Sequence, residues 1–283
     1  MHTLQSIRTF IEEILADQTV NRLSPECDEP AWGRPLVGVS SGDDPLYEEI
    51  KQKIGPFHWT PREIFALTFP GHAVPPGDLS VIVWALPQTR ATLCDQRKET
   101  SLPSRRWVLN RLHGEEINDL VRTRLADALT AAGHPALAPV ASPLWRRATS
   151  PRCGEASTWS ERHAAWVSGL GTFGLCDGLI TEAGKAVRIG SVVAAVALPP
   201  TPRPYAGLHD WCLHYAGGTC RACIERCPAG AITDAGHDKG LCMAYIRSVT
   251  APACGGTNAC GLCQAAVPCE HANPVRAPGK NRR

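Results

Sequence analysis

The sequence predicts an α+β protein in which a larger domain of helices and strands over residues 1–200 precedes a small cysteine-rich domain over residues 201–283. Near the N-terminus, apolar residues recur every three or four positions, as in an amphipathic helix. Two compact β-branched stretches further along are typical of buried strands. Nine of the 13 cysteines lie in the last quarter of the chain, which sets that part apart in composition.

The first elements are predicted by periodicity and by capping residues. Apolar spacing predicts an opening helix over residues 4–15, followed by mainly loop as far as Asp44. Thr60 is a candidate N-cap, with Pro61 in the first turn and Glu63 completing a capping box.

The remaining elements of the larger domain are two strands and two helices. Residues 79–86 and 187–198 predict buried strands, and residues 160–168 predict a short helix. A long helix is predicted from the spacing of its apolar side chains and is expected to end near Gly133. Its solvent-facing side is expected to contain Asp119, Arg122 and Arg124.

Charge and composition exclude some classes of protein. The formal net charge of +2 gives no basic face of the kind that a nucleic-acid-binding protein presents. The N-terminus has no secretory signal, so the many cysteines predict a reducing, cytoplasmic location in which thiols bind metal. The longest apolar stretch, residues 191–198, is too short to span a membrane.

The most specific motif is Cys220-x2-Cys223-x3-Cys227-Pro228, the spacing found in bacterial-type iron–sulfur ferredoxins. Structural zinc is usually held by two cysteine pairs with a longer spacer between them. With Cys254 left out, eight thiols remain in this part of the chain, enough for two [4Fe–4S] clusters. Zinc, a single cluster and a disulfide framework are the alternatives.

Ferredoxin topology divides the eight thiols, because each half of the motif donates one ligand to the cluster of the other half. We define the first set as Cys212, Cys220, Cys223 and Cys269. The second set is Cys227, Cys242, Cys260 and Cys263. Cys212 and Cys269 depart from the usual spacing, and Cys254 is the alternative ligand for either position.

A glycine motif, G-x-G-x-x-G, occupies residues 169–174. A dinucleotide-binding turn requires a strand before this motif and a helix after it, whereas here a predicted helix precedes it and an extended segment follows. The alternative is a helix C-cap and tight turn that binds no ligand. Cys176, just beyond, is interpreted as a buried small hydrophobe.

Residues 160–174, Ser-Glu-Arg-His-Ala-Ala-Trp-Val-Ser-Gly-Leu-Gly-Thr-Phe-Gly, together with the later strand and cysteines, resemble the epoxyqueuosine reductases and, more distantly, the corrinoid-dependent reductive dehalogenases. The resemblance implies an α/β domain related to nitroreductases and cobalamin-processing proteins, followed by a ferredoxin-like two-cluster module. It also implies that a corrinoid, cobalamin, is lined by the backbone of Gly169, Gly171, Thr172, Phe173 and Gly174.

The same resemblance places Glu155 at the position of the family's general acid, on condition that burial raises its pKa. A solvated loop acid is the alternative. The tRNA substrate is not expected here, because the sequence lacks the basic surface and helical-repeat domain that the family usually has.

The sequence therefore predicts a cytoplasmic iron–sulfur reductase that acts on a small organic molecule through a corrinoid. Reduced ferredoxin or flavodoxin is the expected electron donor. The alternatives are a ferredoxin-like electron carrier without catalysis of its own, and a flavin enzyme that binds FMN.

Overall fold

The computed structural model describes residues 3–275. Its strands are β1 (Leu36–Ser41), β2 (Ser80–Pro87), β3 (Ala136–Leu137), β4 (Arg147–Ser150), β5 (Gly154–Ser157), β6 (Gly171–Phe173), β7 (Leu179–Thr181), β8 (Val187–Ala194), β9 (Ile232–Thr233) and β10 (Gly236–His237). Its α-helices are α1 (Leu4–Ala16), α2 (Leu46–Ile54), α3 (Pro61–Thr68), α4 (Arg90–Gln96), α5 (Arg105–Ala131), α6 (Glu161–Val167), α7 (Leu213–Gly217), α8 (Ala222–Glu225), α9 (Lys239–Tyr245) and α10 (Ala251–Ala253).

A four-stranded antiparallel sheet in the order β1–β2–β8–β3 forms the centre of the larger part of the chain. The predicted strands at 79–86 and 187–198 are confirmed as β2 and β8, which pair along their whole lengths. Both faces of β2 are buried, because its side chains alternate between two apolar clusters. Helices α1 and α5 cover one face, and α2, α3 and α6 cover the other.

The predicted opening helix and capping box are confirmed as α1 and as the start of α3. At α3, the Glu63 backbone N–H donates to Thr60 Oγ1 at 3.3 Å, and the Thr60 N–H donates to Glu63 Oε2 at 2.9 Å. These two bonds satisfy backbone donors that a helix N-terminus otherwise leaves without partners.

Two elements and one side chain differ from the sequence prediction. The stretch before Asp44, predicted mainly as loop, contains the edge strand β1, and the polar segment after Pro87 contains α4. Pairing with β2 stabilises β1 more than its own composition does, since strand preference depends strongly on context. Arg122, predicted to face solvent, is only 1% exposed and lies against the carboxylate of Glu161.

A C-terminal part built from short helices and the small β9–β10 ribbon packs against the larger part of the chain. The proline-rich linker runs beside β1, where Thr201 and Val39 exchange two hydrogen bonds of 2.8 and 2.9 Å. The mixture of helices and sheet confirms the predicted α+β class, whereas the boundary at residue 200 stays a prediction. Within residues 3–275, no helix combines the length and the apolar character required to cross a lipid bilayer.

Candidate metal centre

The four cysteines of the first set line one small cavity in the C-terminal part. Cys212 directly precedes α7, Cys220 lies two residues before α8 and Cys223 lies within it. Cys269 lies near the end of the described residues. Three of these four side chains are buried, Cys220 being the exception. The structure therefore gathers the cysteines that ferredoxin topology grouped, although their role as ligands stays a prediction.

Cys227, Cys242 and Cys260 of the second set lie near one another, whereas Cys263 lies beside Cys176 and Lys185, next to the first set. Burial raises the pKa of the Cys260 thiol, and the neighbouring thiols of Cys242 and Cys227 raise it further. Cys263, in the 3₁₀ turn Leu262–Gln264, lies near Cys260. Burial raises the pKa of the Cys254 thiol at the end of α10, and that residue stays the alternative ligand.

Among residues 3–275, no three His, Cys, Asp or Glu side chains converge in the way required to hold a single metal ion. In a four-iron cube the four thiolates bind separate iron atoms, so the sulfur atoms of one set lie around the cluster rather than around one point. The donor chemistry fits such a cluster, because thiolate is the ligand that iron–sulfur clusters prefer.

A residue that sequence reasoning did not assign to this region is Cys176. It is buried, as predicted, but its Sγ accepts a hydrogen bond of 3.1 Å from Lys185 Nζ. Hydrogen bonds from the thiols of Cys223 and Cys263 hold the pKa of the Cys176 thiol well below its ordinary value. No sequence spacing connects Cys176 with these cysteines, so only the folded structure brings them together.

The glycine motif contains β6, the first strand of the β6–β7 hairpin, and the hairpin contacts the segment before Cys212. The Phe173 N–H donates to the Leu208 carbonyl oxygen at 2.7 Å, and Thr172 Oγ1 accepts from the Trp211 N–H at 2.9 Å. Gly169 ends α6 with a φ of +79°, the left-handed conformation that favours glycine. These backbone groups are bonded within the chain, so their proposed contact with a corrinoid stays a prediction.

We expect Gly171→Ala to destabilise the hairpin, because a Cβ atom at this position would lie far inside van der Waals contact of the Ile180 carbonyl oxygen. Rigid overlap with backbone is expected to cost about 1–3 kcal/mol of unfolding free energy, measurable by chemical denaturation. Gly33→Ala is the matched control, since its Cβ would meet the Pro87 carbonyl oxygen at an ordinary 3.6 Å. Equal stability of the two variants would contradict the expectation.

Glu155 lies exposed on β5, where it pairs with Thr149 across the β4–β5 hairpin. Its backbone carbonyl accepts a hydrogen bond of 3.2 Å from Lys239 Nζ. The predicted role as a general acid required burial, and this side chain is not buried in the structure. The assignment therefore stays a prediction without the local environment that would support it.

Two histidines lie near the contact between the larger part and the C-terminal part. The His163 ring packs on Phe173 with a centroid separation of 4.8 Å, and its Nδ1 lies 2.8 Å from Ser160 Oγ. His237 Nδ1 lies 3.1 Å from Asp177 Oδ2. Hydrogen bonds to Asp177 and to Cys242 raise the pKa of His237 to about 9, and this imidazole lies beside a predicted ligand.

Burial lowers the pKa of His163 to about 3, below the value near 6.5 of the unfolded chain. Below about pH 6.5 this histidine binds a proton in the unfolded chain but not in the folded chain. The contribution of the neutral, buried ring to the free energy of unfolding is therefore complete above about pH 6.5 and falls as the pH drops toward about 3. Between about pH 7 and pH 5, we expect the free energy of unfolding of the wild type to fall by about 1–2 kcal/mol more than that of His163→Gln. The exposed His72 supplies the control His72→Gln, which should follow the wild-type profile.

Comparison with known proteins gave matches in fold only. A scan against protein-family models found no match, and neither did a search of curated proteins. An epoxyqueuosine reductase structure matches with a TM-score of 0.51 and 15% identity, covering 94% of this chain and 65% of that one. A second, with an epoxyqueuosine-modified tRNA stem loop, matches with a TM-score of 0.50 and 15% identity, covering 94% and 64%.

A reductive dehalogenase structure also matches, with a TM-score of 0.52 and 15% identity, covering 85% of this chain and 30% of that chain. That structure is described as suggesting a mechanism for B12-dependent dehalogenation. The chain thus spans just under two thirds of the epoxyqueuosine reductases and about a third of the dehalogenase. Both similarities predicted from the sequence are confirmed. The chain has a fold distantly similar to that of epoxyqueuosine reductases and corrinoid reductive dehalogenases, at an identity that establishes the fold alone.

Proposed function

We propose that this chain is an epoxyqueuosine reductase-like iron–sulfur oxidoreductase. Its ferredoxin-like C-terminal part would hold two [4Fe–4S] clusters, and its larger part would bind a corrinoid and a small organic substrate. The observation that carries the proposal is the single cavity lined by all four cysteines of the first set. The fold, which resembles that of known reductases, supports it.

Bound clusters would supply one-electron transfer, and a bound corrinoid would supply a metal centre able to reduce an organic molecule. The protein provides the environment of the cluster. Leu175 and Val267 line the cavity of the first set beside the thiols and limit the access of water. A dry, low-dielectric wall strengthens every charge interaction at the cluster and thereby influences its reduction potential.

The proposal that the chain binds a corrinoid is supported by the fold and less directly by the glycine hairpin. The reductive dehalogenase of similar fold is described as B12-dependent. The residues proposed to line the corrinoid are those of the glycine motif, as predicted from the sequence. In the structure, backbone groups of this hairpin form hydrogen bonds within the chain. Glu155 remains the proposed proton donor, which would require a change in its surroundings when substrate binds.

The substrate is proposed to be a small molecule rather than tRNA. One epoxyqueuosine reductase of similar fold was solved with a tRNA stem loop, and this chain covers 64% of that protein. The nearly balanced charge of this chain does not favour a phosphate backbone as partner. Reduced ferredoxin or flavodoxin is the proposed electron donor, and the cytoplasm is the proposed location.

Anaerobic reconstitution with iron, sulfide and cobalamin tests the proposal. We expect about eight iron atoms per chain, from two four-iron clusters. EPR signals of reduced [4Fe–4S] clusters and a change of added cobalamin to the base-off form are also expected. Stoichiometric zinc, or a colourless protein without sulfide, would overturn the iron–sulfur assignment.

A ferredoxin-like electron carrier is the second candidate, and the tight packing of the glycine hairpin favours it. A Cβ at Gly169 would lie 2.6 Å from the Pro202 carbonyl oxygen, so contacts within the chain already account for this glycine. Cluster absorption with no effect on cobalamin and no bound FMN would support the carrier. Bound yellow FMN would support the flavin enzyme instead.

A further inference from the structure

Lys185 is a buried lysine that faces the cysteines of the C-terminal part. Its side chain lies in the segment between β7 and β8 and is 3% exposed. Lys185 lines the same cavity as the four cysteines of the first set. Its Nζ donates to Cys176 Sγ at 3.1 Å and lies near the Cys269 thiol. The larger part of the chain thus inserts a cationic side chain into the predicted cluster site.

Backbone contacts hold this lysine in place. The Lys185 N–H donates to the Cys269 carbonyl oxygen at 2.8 Å, and the next N–H donates to the Glu270 carbonyl oxygen at 3.1 Å. The Glu270 carboxylate is buried and accepts hydrogen bonds of 2.8 and 3.0 Å from Arg97 Nε. Gly184 packs so tightly against Glu270 that a Cβ would overlap its backbone. The position of Lys185 is therefore set by the same contacts that place Cys269.

A fixed cation near a redox cluster acts on the two oxidation states differently. When a low-potential donor gives one electron to a cluster with four thiolates, the net charge of the cluster becomes more negative by one unit, and no bond forms or breaks. An ammonium group stabilises the more negative state, and the effect is strong where water is excluded. Surrounding charges are among the known determinants of cluster potentials.

We propose that Lys185 sets the reduction potential of the cluster held by Cys212, Cys220, Cys223 and Cys269, keeping it higher than it would be without the cation. This inference rests on the proposed function, because it requires a cluster at the first set. Lys185 acts on the cluster through its positive charge and does not bind it as a ligand. All four predicted ligands of the first set line the cavity of Lys185, and Cys263 of the second set also lies near this lysine, so the first cluster should respond more strongly and the second should respond as well.

The test is a redox titration of the anaerobically reconstituted full chain with dithionite and mediators, followed by EPR. In Lys185→Met we expect one cluster signal to shift to a more negative midpoint potential, while the other changes less and iron content stays at the wild-type level. Lys185→Arg, which keeps the charge, should stay close to the wild type. Lys98→Met is the matched control, because that lysine is 73% exposed.

Unchanged potentials for both signals in an iron-replete Lys185→Met protein would overturn the inference and leave the proposed function intact. A wild-type chain that binds no iron–sulfur cluster would instead overturn the proposed function. Cys176→Ala keeps the lysine and gives an independent measurement if Lys185→Met does not fold. We expect this variant to retain its iron with a potential no lower than that of the wild type. Loss of iron there would overturn the inference, because Cys176 would then be a ligand and Lys185 its counter-ion, and a lowered potential would contradict the charge argument.

Discussion

Replacing Cys223 by alanine is expected to remove about half of the iron from the reconstituted protein, because one of two four-thiolate sets loses a ligand. Cys223 is 7% exposed and lines the cavity of the first set. Ligand binding and folding of such small metal-binding regions are coupled, so the C-terminal part should also become less stable. Iron and sulfide analysis with EPR would show one remaining cluster signal, that of the second set.

Two controls make this result specific. Cys153→Ala changes an exposed thiol outside the C-terminal part and should keep all of the iron. Cys254→Ala should also keep it, unless that residue replaces Cys212 or Cys269 as a ligand. Full iron retention in Cys223→Ala would contradict the ligand assignment. Complete loss would show that the two sets depend on each other for folding.

Replacing Arg122 by methionine is expected to lower the free energy of unfolding by about 3–5 kcal/mol, because it removes one partner of a buried ion pair. Arg122 is 1% exposed, and its guanidinium donates to both oxygens of Glu161 at 3.0 and 2.7 Å. Burial raises the pKa of Glu161, which shows how poorly its charge is solvated. Without Arg122, that carboxylate loses the nearest group that compensates its charge.

The size of this effect can be separated from the loss of side-chain packing. Arg124→Met lies on the same helix but at an exposed position, and we expect a change within about 0.5 kcal/mol. The double variant Arg122→Met with Glu161→Gln removes the buried charge as well and should recover part of the stability. Chemical denaturation of all four proteins supplies the comparison. No recovery in the double variant would mean that packing, not charge, dominates.

Much of the secondary structure could be predicted because its causes are local. The capping box of Thr60 and Glu63 depends on residues three positions apart, and α1 follows from apolar spacing along one helix face. The strand β2 was recognisable from a continuous β-branched stretch, since both its faces are covered. By contrast, β1 escaped prediction because its pairing partner lies about forty residues further along the chain.

Part of the candidate site could also be predicted from local sequence, and part could not. The spacing of Cys220, Cys223 and Cys227 indicated iron–sulfur chemistry, because a short loop must place several thiolates around one cluster. The grouping of Cys212 and Cys269 with them required knowledge of ferredoxin topology, and the shared cavity is consistent with it. The local environment of Glu155 could not be anticipated, since exposure depends on how the β4–β5 hairpin packs.

The sequence by itself determined the class of the protein, the cysteine-rich C-terminal part and its resemblance to epoxyqueuosine reductases. These properties depend on spacing within short segments, where chain geometry limits which residues can meet. Only the tertiary structure decided that Arg122 is buried and that Lys185 and Cys176 lie among the cysteines. Such contacts join residues far apart in sequence. They are selected by packing and by the need to pair charges away from water, which no local pattern records.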